Sequence, residues 1–338
     1  MNILHLLSQT HLTGSEVFAN SLIDKQIVDN NCFIISDTIN IETKAEYHAM
    51  QIHNRSIFSR IHNLIKLFIF CKKKNIDLIH THSRAASWLA YFVTKWLKIA
   101  YVSTVHGVQG IHFSSKRKNI YGKNITVVCE FLKDHLINDL NINSEYISVI
   151  RNGLKIEVKN TTKPKNKKIV WIGRLTGPKG ELAKLLVQKV FSYLEDIEFD
   201  LIGGPNELLS EFKSIAPNNC HFLGQIDNAV EKIAGYDIVF GSGRVALEAM
   251  ANNKPIFAIG EAESIGFINE LTIYKAKYSN FGDCGTRSSK DFDFKLIYAQ
   301  LIKYLSINNK EQFDDYLLEY NLDTISEKIM NVYKKAQC

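Results

Sequence analysis

The sequence predicts an α/β protein of two Rossmann-like, doubly wound domains. Short apolar runs alternate with longer amphipathic ones, from "NILHLL" at the start to "KPIFAIG" at 254–260. The short runs are apolar throughout, as in parallel strands covered on both faces, and not alternately apolar and polar as in a half-solvated sheet. The alternation pauses at a basic, Pro-containing stretch over 155–168 and restarts at "KKIVWIGRL", which divides the pattern in two. At 338 residues the chain is long enough for about two domains, each with its own core.

In the first half, the strand "NILHLL" is followed by a helix near 16–29, "CFIISD" by a helix near 57–74, and "IDLIHTH" by a helix near 84–97. "YVSTVHG", "ITVVCE" and "YISVIRNGL" complete that half. In the second half, "KKIVWIGRL" leads to a helix near 180–194, "FDLIGG" to one near 206–214, "CHFLG" to one near 227–234, and "YDIVFGSG" to the helix carrying Glu248. Polar helical sequence over roughly 291–335 ends the chain. The boundaries predicted are 1–158, 168–310, and a helical segment 311–338 that packs back toward the first domain.

Composition narrows the class. Apolar residues make up 46% and charged residues 22%, as in an ordinary globular protein. The net charge of +6 is concentrated in "CKKK" (71–74), "SSKRK" (114–118) and "KNTTKPKNKK" (159–168), clusters that suit phosphorylated substrates or anionic lipid, or are solvated loops. No aromatic-interleaved basic motif accompanies them, so nucleic acid is not an expected partner. The six cysteines form no Cys-x-x-Cys pair, which speaks against a zinc ribbon or a disulfide framework and for a reducing cytoplasm. The N-terminus lacks a basic region and cleavage site, and "IHNLIKLFIFCKKK" is too short and too interrupted by Lys66 to span a bilayer.

In open parallel sheets, ligands sit beyond the carboxyl ends of the strands. Those ends carry the chemistry here: "TGSE" with Gly14 and Glu16, "HTHS" with His80, His82 and Ser83, "VHG" with His106, "GRLTGPKG" with Gly173, Arg174 and Lys179, "GGPNE" with Gly204, and "GSGR" with Gly241, Ser242, Gly243 and Arg244. A Gly-rich turn feeding a helix N-terminus offers backbone N–H groups and a positive dipole end to an anion. The same "GSGR" also reads as a plain strand-to-helix turn. His80, inside an apolar run, reads as a core histidine. No cysteine or carboxylate pattern joins the histidines, so no metal is expected. A dehydrogenase is disfavoured because one glycine, not Gly-x-Gly-x-x-Gly, follows the first strand.

The ordered series "TGSE", "DLIHTHS", "STVHG", "VVCE", "VIRNGL", "WIGRLTGPKG", "FLG" and "LEAMANNKP" resembles the GT-B glycosyltransferases, specifically the retaining family 4, over nearly the whole chain. The resemblance implies two domains facing across a cleft and sugar transfer from a UDP- or GDP-sugar to a glycan or lipid-linked glycan. It places the reaction in bacterial lipopolysaccharide or surface-glycan synthesis, without cofactor, at the inner face of the cytoplasmic membrane. It implies that His106, Arg174 and Lys179 serve catalysis, the last two by compensating charge on a departing diphosphate. Gly14, Gly173, Gly204, Gly241, Ser242, Gly243, Arg244 and Glu248 would hold the donor, with Glu248 on the ribose, and Glu16, His82 and Ser83 the acceptor. The helix 61–74 and "SSKRK" either dock on anionic membrane or form a packed helix and a solvated loop. One departure is plain: where family 4 enzymes carry Glu-x7-Glu, the position eight before Glu248 is Phe240. That leaves open a catalytically silent nucleotide-binding relative, or a likeness to inverting lipid-linked GlcNAc transferases.

Overall fold

A computed structural model describes residues 1–8, 14–39, 42–54, 56–111, 119–155, 168–226, 232–307 and 313–338. Residues 156–167 of the linker predicted over 155–168, the cluster "SSKRK", Thr13 and most of the helix expected near 227–234 lie outside the described residues. The chain forms two compact units, Met1–Lys155 with Glu319–Cys338, and Ile156–Leu318.

In the first unit, strands β1 (Asn2–Leu6), β2 (Asn31–Ser36), β3 (Glu46–Ala49), β4 (Leu78–Thr81), β5 (Ala100–Val105), β6 (Ile125–Val127) and β7 (Ile147–Val149) form one sheet in the order β3-β2-β1-β4-β5-β6-β7. Every pairing is parallel. Helices α1 (Gly14–Gln26), α2 (Ile57–Lys73) and α3 (Arg84–Leu97) connect the strands. β3 was not anticipated: "EYHA" is half exposed at the sheet edge and has no apolar run to announce it.

The last helix, Leu322–Gln337, is capped by the Asn321 side chain and buries Leu322, Ile325, Ile329 and Tyr333, one stripe at helical spacing. That stripe joins Ile3, Phe18, Leu22, Leu78, Val102 and Ile150 in a single core. Leu154 exchanges backbone bonds with Tyr320 and Leu322, and Arg151 bridges Glu130 and Glu319 at 2.7 Å each, so the chain's return to this unit is held by backbone and charge as well as by packing.

The second unit has strands β8 (Lys168–Ile172), β9 (Glu198–Ile202), β10 (Cys220–Gly224), β11 (Ile238–Gly241), β12 (Ile256–Ile259) and β13 (Ser264–Phe267), in the order β10-β9-β8-β11-β12-β13. All pairs are parallel except β12 with β13. That antiparallel edge was not foreseen, because "SIGF" is short and sits four residues after β12 in a turn-rich stretch. Aromatic packing dominates the core: Phe240 stacks on Phe257 at 4.6 Å and meets Phe191 edge-on at 5.4 Å.

Candidate functional site

The carboxyl ends of the second unit's strands gather charge. β8 ends at Ile172, and Gly173 stays paired to the sheet through its N–H to the Ile202 carbonyl at 3.0 Å. The chain then turns through Arg174 and Leu175, whose N–H reaches the Gly204 carbonyl at 3.0 Å, into the helix Gly177–Lys189, which carries Lys179 in its first turn. Lys179 Nζ lies 2.8 Å from Asp283 Oδ1, and Ser242 Oγ donates to the same oxygen at 2.5 Å. Arg174 faces Glu261 at 3.7 Å. Burial pushes the Glu261 carboxyl upward, the Asp283 charge adds to the rise, and Lys179 and Arg174 oppose it. Two cations from the ends of one strand-helix connection are thus matched by two carboxylates from the segment after β12.

Gly243 precedes the helix Arg244–Ala251 with φ 54° and ψ −124°, a conformation that side-chain-bearing residues rarely adopt. A Cβ there would also lie 2.7 Å from Asp283 Oδ2. Glycine at 243 therefore has a reason within the fold itself. In that helix, Arg244 Nε donates to Glu248 Oε1 at 2.6 Å, one turn apart. Glu248 is buried, which raises its carboxyl above the usual range, while Arg244 works in the opposite direction. Position 240, where the Glu-x7-Glu pattern has its first carboxylate, is a fully buried aromatic in β11.

In the first unit the strand ends are lined by neutral hydrogen bonds instead. His106 Nε2 meets His82 Nδ1 at 3.3 Å, and His82 Nε2 meets His5 Nδ1 at 3.0 Å. His5 Nε2 reaches Gln26 Oε1 at 2.9 Å. Gln26 Nε2 donates to the Tyr333 hydroxyl at 3.2 Å, which lies 2.6 Å from His80 Nδ1. His80 Nε2, Thr104 Oγ1 and Thr126 Oγ1 follow at 2.6 Å each, and Thr126 donates to the Ser103 carbonyl at 3.5 Å. Burial lowers all four histidines, to about 4 for His5 and about 3 for His106.

His80 has the core position its sequence context suggests. His82 differs from its expected acceptor-binding role: it is 3% exposed and both ring nitrogens are held by histidines. Ser83 caps α3, its hydroxyl accepting from the Ala86 N–H at 3.2 Å. Glu16 is buried in the first turn of α1, where a carboxylate suits the helix dipole, and Gly14 opens that helix facing free space. His5, His80 and His82 bring one nitrogen each within 4.8 Å of one another. These rings are already hydrogen-bonded, so a metal ion there would have to replace existing partners.

Several residues of these sites were not anticipated. His5 had a visible signal, a polar ring inside the otherwise apolar "NILHLL". Asp283, Glu261, Gln26 and Tyr333 had none, because each reaches its partner across a distance in sequence that no local pattern encodes. A third feature is α2, which buries Asn63, Leu67 and Cys71 and leaves Phe58, Ile61, Ile65 and Ile69 exposed along one stripe. The stretch 57–74 contains Arg60, Lys66, Lys72, Lys73 and Lys74 and no carboxylate. Among the described residues, no helix is long and apolar enough to cross a membrane.

Residues 39–158 match the model of Glycosyltransferase Family 4. A galactosyltransferase of Escherichia coli, UDP-Gal:alpha-D-GlcNAc-diphosphoundecaprenol alpha-1,3-galactosyltransferase, is 26% identical over 46% of this chain and 44% of its own, so the match spans less than half of that relative. The fold is shared end to end with a glycosyltransferase of Rickettsia africae (TM-score 0.78, 19% identity, 99% of this chain and 98% of that one). It is shared equally widely with Anabaena Alr3699/HepE, solved with UDP and glucose (TM-score 0.75, 15% identity, 99% and 100%). The chain thus carries a match to the Glycosyltransferase Family 4 model over residues 39–158 and shares its two-unit, Rossmann-like fold with these glycosyltransferases.

Proposed function

We propose that the protein transfers a sugar from a nucleotide-sugar, a UDP-sugar first among the candidates, to a lipid-linked glycan. The observation that carries this reading is the cluster at the end of β8: Arg174 and Lys179 held in ion pairs that an incoming diphosphate can exchange, beside the Gly241–Ser242–Gly243 turn. A diphosphate would take over the two cations from Glu261 and Asp283, and the positive charges would then offset the charge that develops as the nucleoside diphosphate departs. Two side-chain cations and a helix N-terminus perform the task that a divalent ion performs elsewhere, so transfer should survive chelation. Glu248, buried and already aligned by Arg244, is the ribose acceptor in this reading, and Gly14, Gly173 and Gly204 line the approach of the donor. His106 meets the sugar. Retention of configuration at the transferred carbon is part of the proposal, with the departing phosphate helping to deprotonate the acceptor hydroxyl.

A lipid-linked acceptor is supported by the Escherichia coli relative, whose name specifies a diphosphoundecaprenol-linked substrate, and by α2. An exposed Phe and Ile stripe flanked by cations and free of carboxylates suits an anionic bilayer surface, with the enzyme at the cytoplasmic face. A thermal-shift screen against UDP-, GDP- and ADP-sugars, followed by transfer of labelled sugar to undecaprenyl-diphosphate-linked GlcNAc, tests the whole reading. Stabilisation follows RT ln(1 + [L]/Kd), so a ligand at a hundred times its Kd gives about 2.7 kcal/mol. Phe240 favours one second reading, a silent nucleotide-binding relative. Tight UDP binding with no transfer to any acceptor would establish that instead.

A further inference from the structure

The hydrogen bonds of the first unit form one unbroken path with a direction. At its inner end, Thr126 Oγ1 faces the Ser103 carbonyl, which accepts and cannot donate. Thr126 therefore donates there and accepts from Thr104, and Thr104 accepts from His80 Nε2–H. His80 Nδ1 accepts from the Tyr333 hydroxyl, and Tyr333 accepts from the Gln26 amide N–H. The Gln26 carbonyl is then turned to His5 and needs a proton on His5 Nε2. His5 Nδ1 accepts from His82 Nε2–H, and His82 Nδ1 accepts from His106 Nε2–H. Each neutral imidazole has one donor and one acceptor, so a choice made at Thr126 passes through every ring to the last.

The path ends at His106 Nδ1, a buried nitrogen with no hydrogen-bond partner among the described residues. Run in reverse, the path would leave a buried N–H at that atom without an acceptor and would turn the Thr126 hydroxyl from its carbonyl. An orphaned buried donor carries the full desolvation cost of that group, with nothing to offset it. We propose that the path from Thr126 to His106 holds His106 as the neutral Nε2–H tautomer, so that its Nδ1 lone pair is presented as an acceptor to a hydroxyl of the bound sugar. The hydroxyl part of this rests on the glycosyl-transfer reading above; the tautomer part does not. Burial supports it, since it keeps these rings uncharged near neutral pH. His5, His82, Gln26 and Tyr333 are positioning residues: they act through His106, and Tyr333 does so from the C-terminal helix. This gives the return of that helix to the first unit a task beyond packing.

The test is histidine nitrogen spectroscopy on the full, unliganded chain labelled with 15N-histidine at neutral pH, with His106 assigned through His106→Asn. The wild type should show His106 in the Nε2–H form alone. Tyr333→Phe removes one hydroxyl and cuts the path between Gln26 and His80; an orphaned donor then falls at one end or the other, and His106 should become a mixture approaching equal parts. Gln26→Met, which cannot accept from His5, should do the same. Ile329→Val, a packing change in the same helix, should leave the tautomer intact. With UDP-galactose as the probe, the two path variants should lose about a factor of two in affinity relative to UDP, the share of molecules in the wrong tautomer. Protonation of wild-type His106 on Nδ1, or a tautomer that neither path variant changes, overturns the proposal. If the tautomers behave as stated while UDP-galactose leaves the His106 signals unmoved, the sugar-hydroxyl role falls and the fixed tautomer stands.

Discussion

The strand ends of the two units solve opposite problems. In the second unit, Arg174, Lys179 and Arg244 are each set against a carboxylate, and the side chains of Arg174 and Glu261 are 49% and 33% exposed. Ion pairs so close to solvent are worth little and are readily exchanged for a better anion. In the first unit, the buried His5, His80 and His82 are joined with the half-buried His106 by neutral hydrogen bonds that cannot be exchanged without leaving a group unsatisfied. One surface is prepared to swap charges; the other holds a fixed pattern of donors and acceptors. Under the proposed function, a charged leaving group calls for the first, and a polyhydroxylated neutral ring for the second.

The largest effect expected from breaking this contrast lies in the cations. Arg174→Ala and Lys179→Ala should each lower kcat/KM for sugar transfer by about 2–4 kcal/mol in transition-state terms, with the fold retained by circular dichroism. Rates equal to the wild type in both would mean the pairs with Glu261 and Asp283 are structural alone.

The contrast also has a pH signature. The folded His5 pKa of about 4 lies below the ordinary histidine value of 6.5, so between those two values the unfolded chain binds a proton that the folded unit does not. Stability is therefore complete above pH 6.5 and declines as pH falls toward 4, by about 2 kcal/mol at pH 5 for His5 alone. Urea unfolding followed by fluorescence in a Trp171→Phe variant, where Trp88 and Trp96 report on the first unit, should show a lower midpoint at pH 5 than at pH 7.5. Equal midpoints would contradict a neutral histidine path.

Glu248→Gln should weaken UDP binding by about 1–3 kcal/mol by calorimetry, through loss of a charged acceptor and of the Arg244 pair. Gly243→Val does not discriminate as cleanly, because its backbone conformation and the nearness of Asp283 obstruct any side chain before a ligand arrives. The smallest effect separates the two readings of Asp283. Asp283→Asn keeps an acceptor for Ser242 but removes the carboxylate charge that faces Lys179, and should tighten UDP binding by up to about 1 kcal/mol. Weaker binding would mean that Asp283 orients Lys179 and does not compete with phosphate.

What the sequence by itself determined is the part written in local pattern. Two doubly wound units were legible because apolar runs and helical stripes are properties of neighbouring residues, and the basic and glycine-rich strand ends stood out as departures from those runs. Arg174, Lys179 and His106 could be singled out as candidates for that reason, while their roles, and that of Glu248, came from the family resemblance. The tertiary structure alone decided which charges are matched and which nitrogens are left over. Asp283 lies 41 residues beyond Ser242, and Tyr333 lies 307 beyond Gln26, so their pairing has no periodic trace in the chain. It alone also buried His82 just beyond the end of β4 and gave the C-terminal helix to the first unit. The physical reason is the same in each case: a hydrogen bond depends on where two atoms meet in space, whereas hydrophobic periodicity depends only on which face a residue occupies.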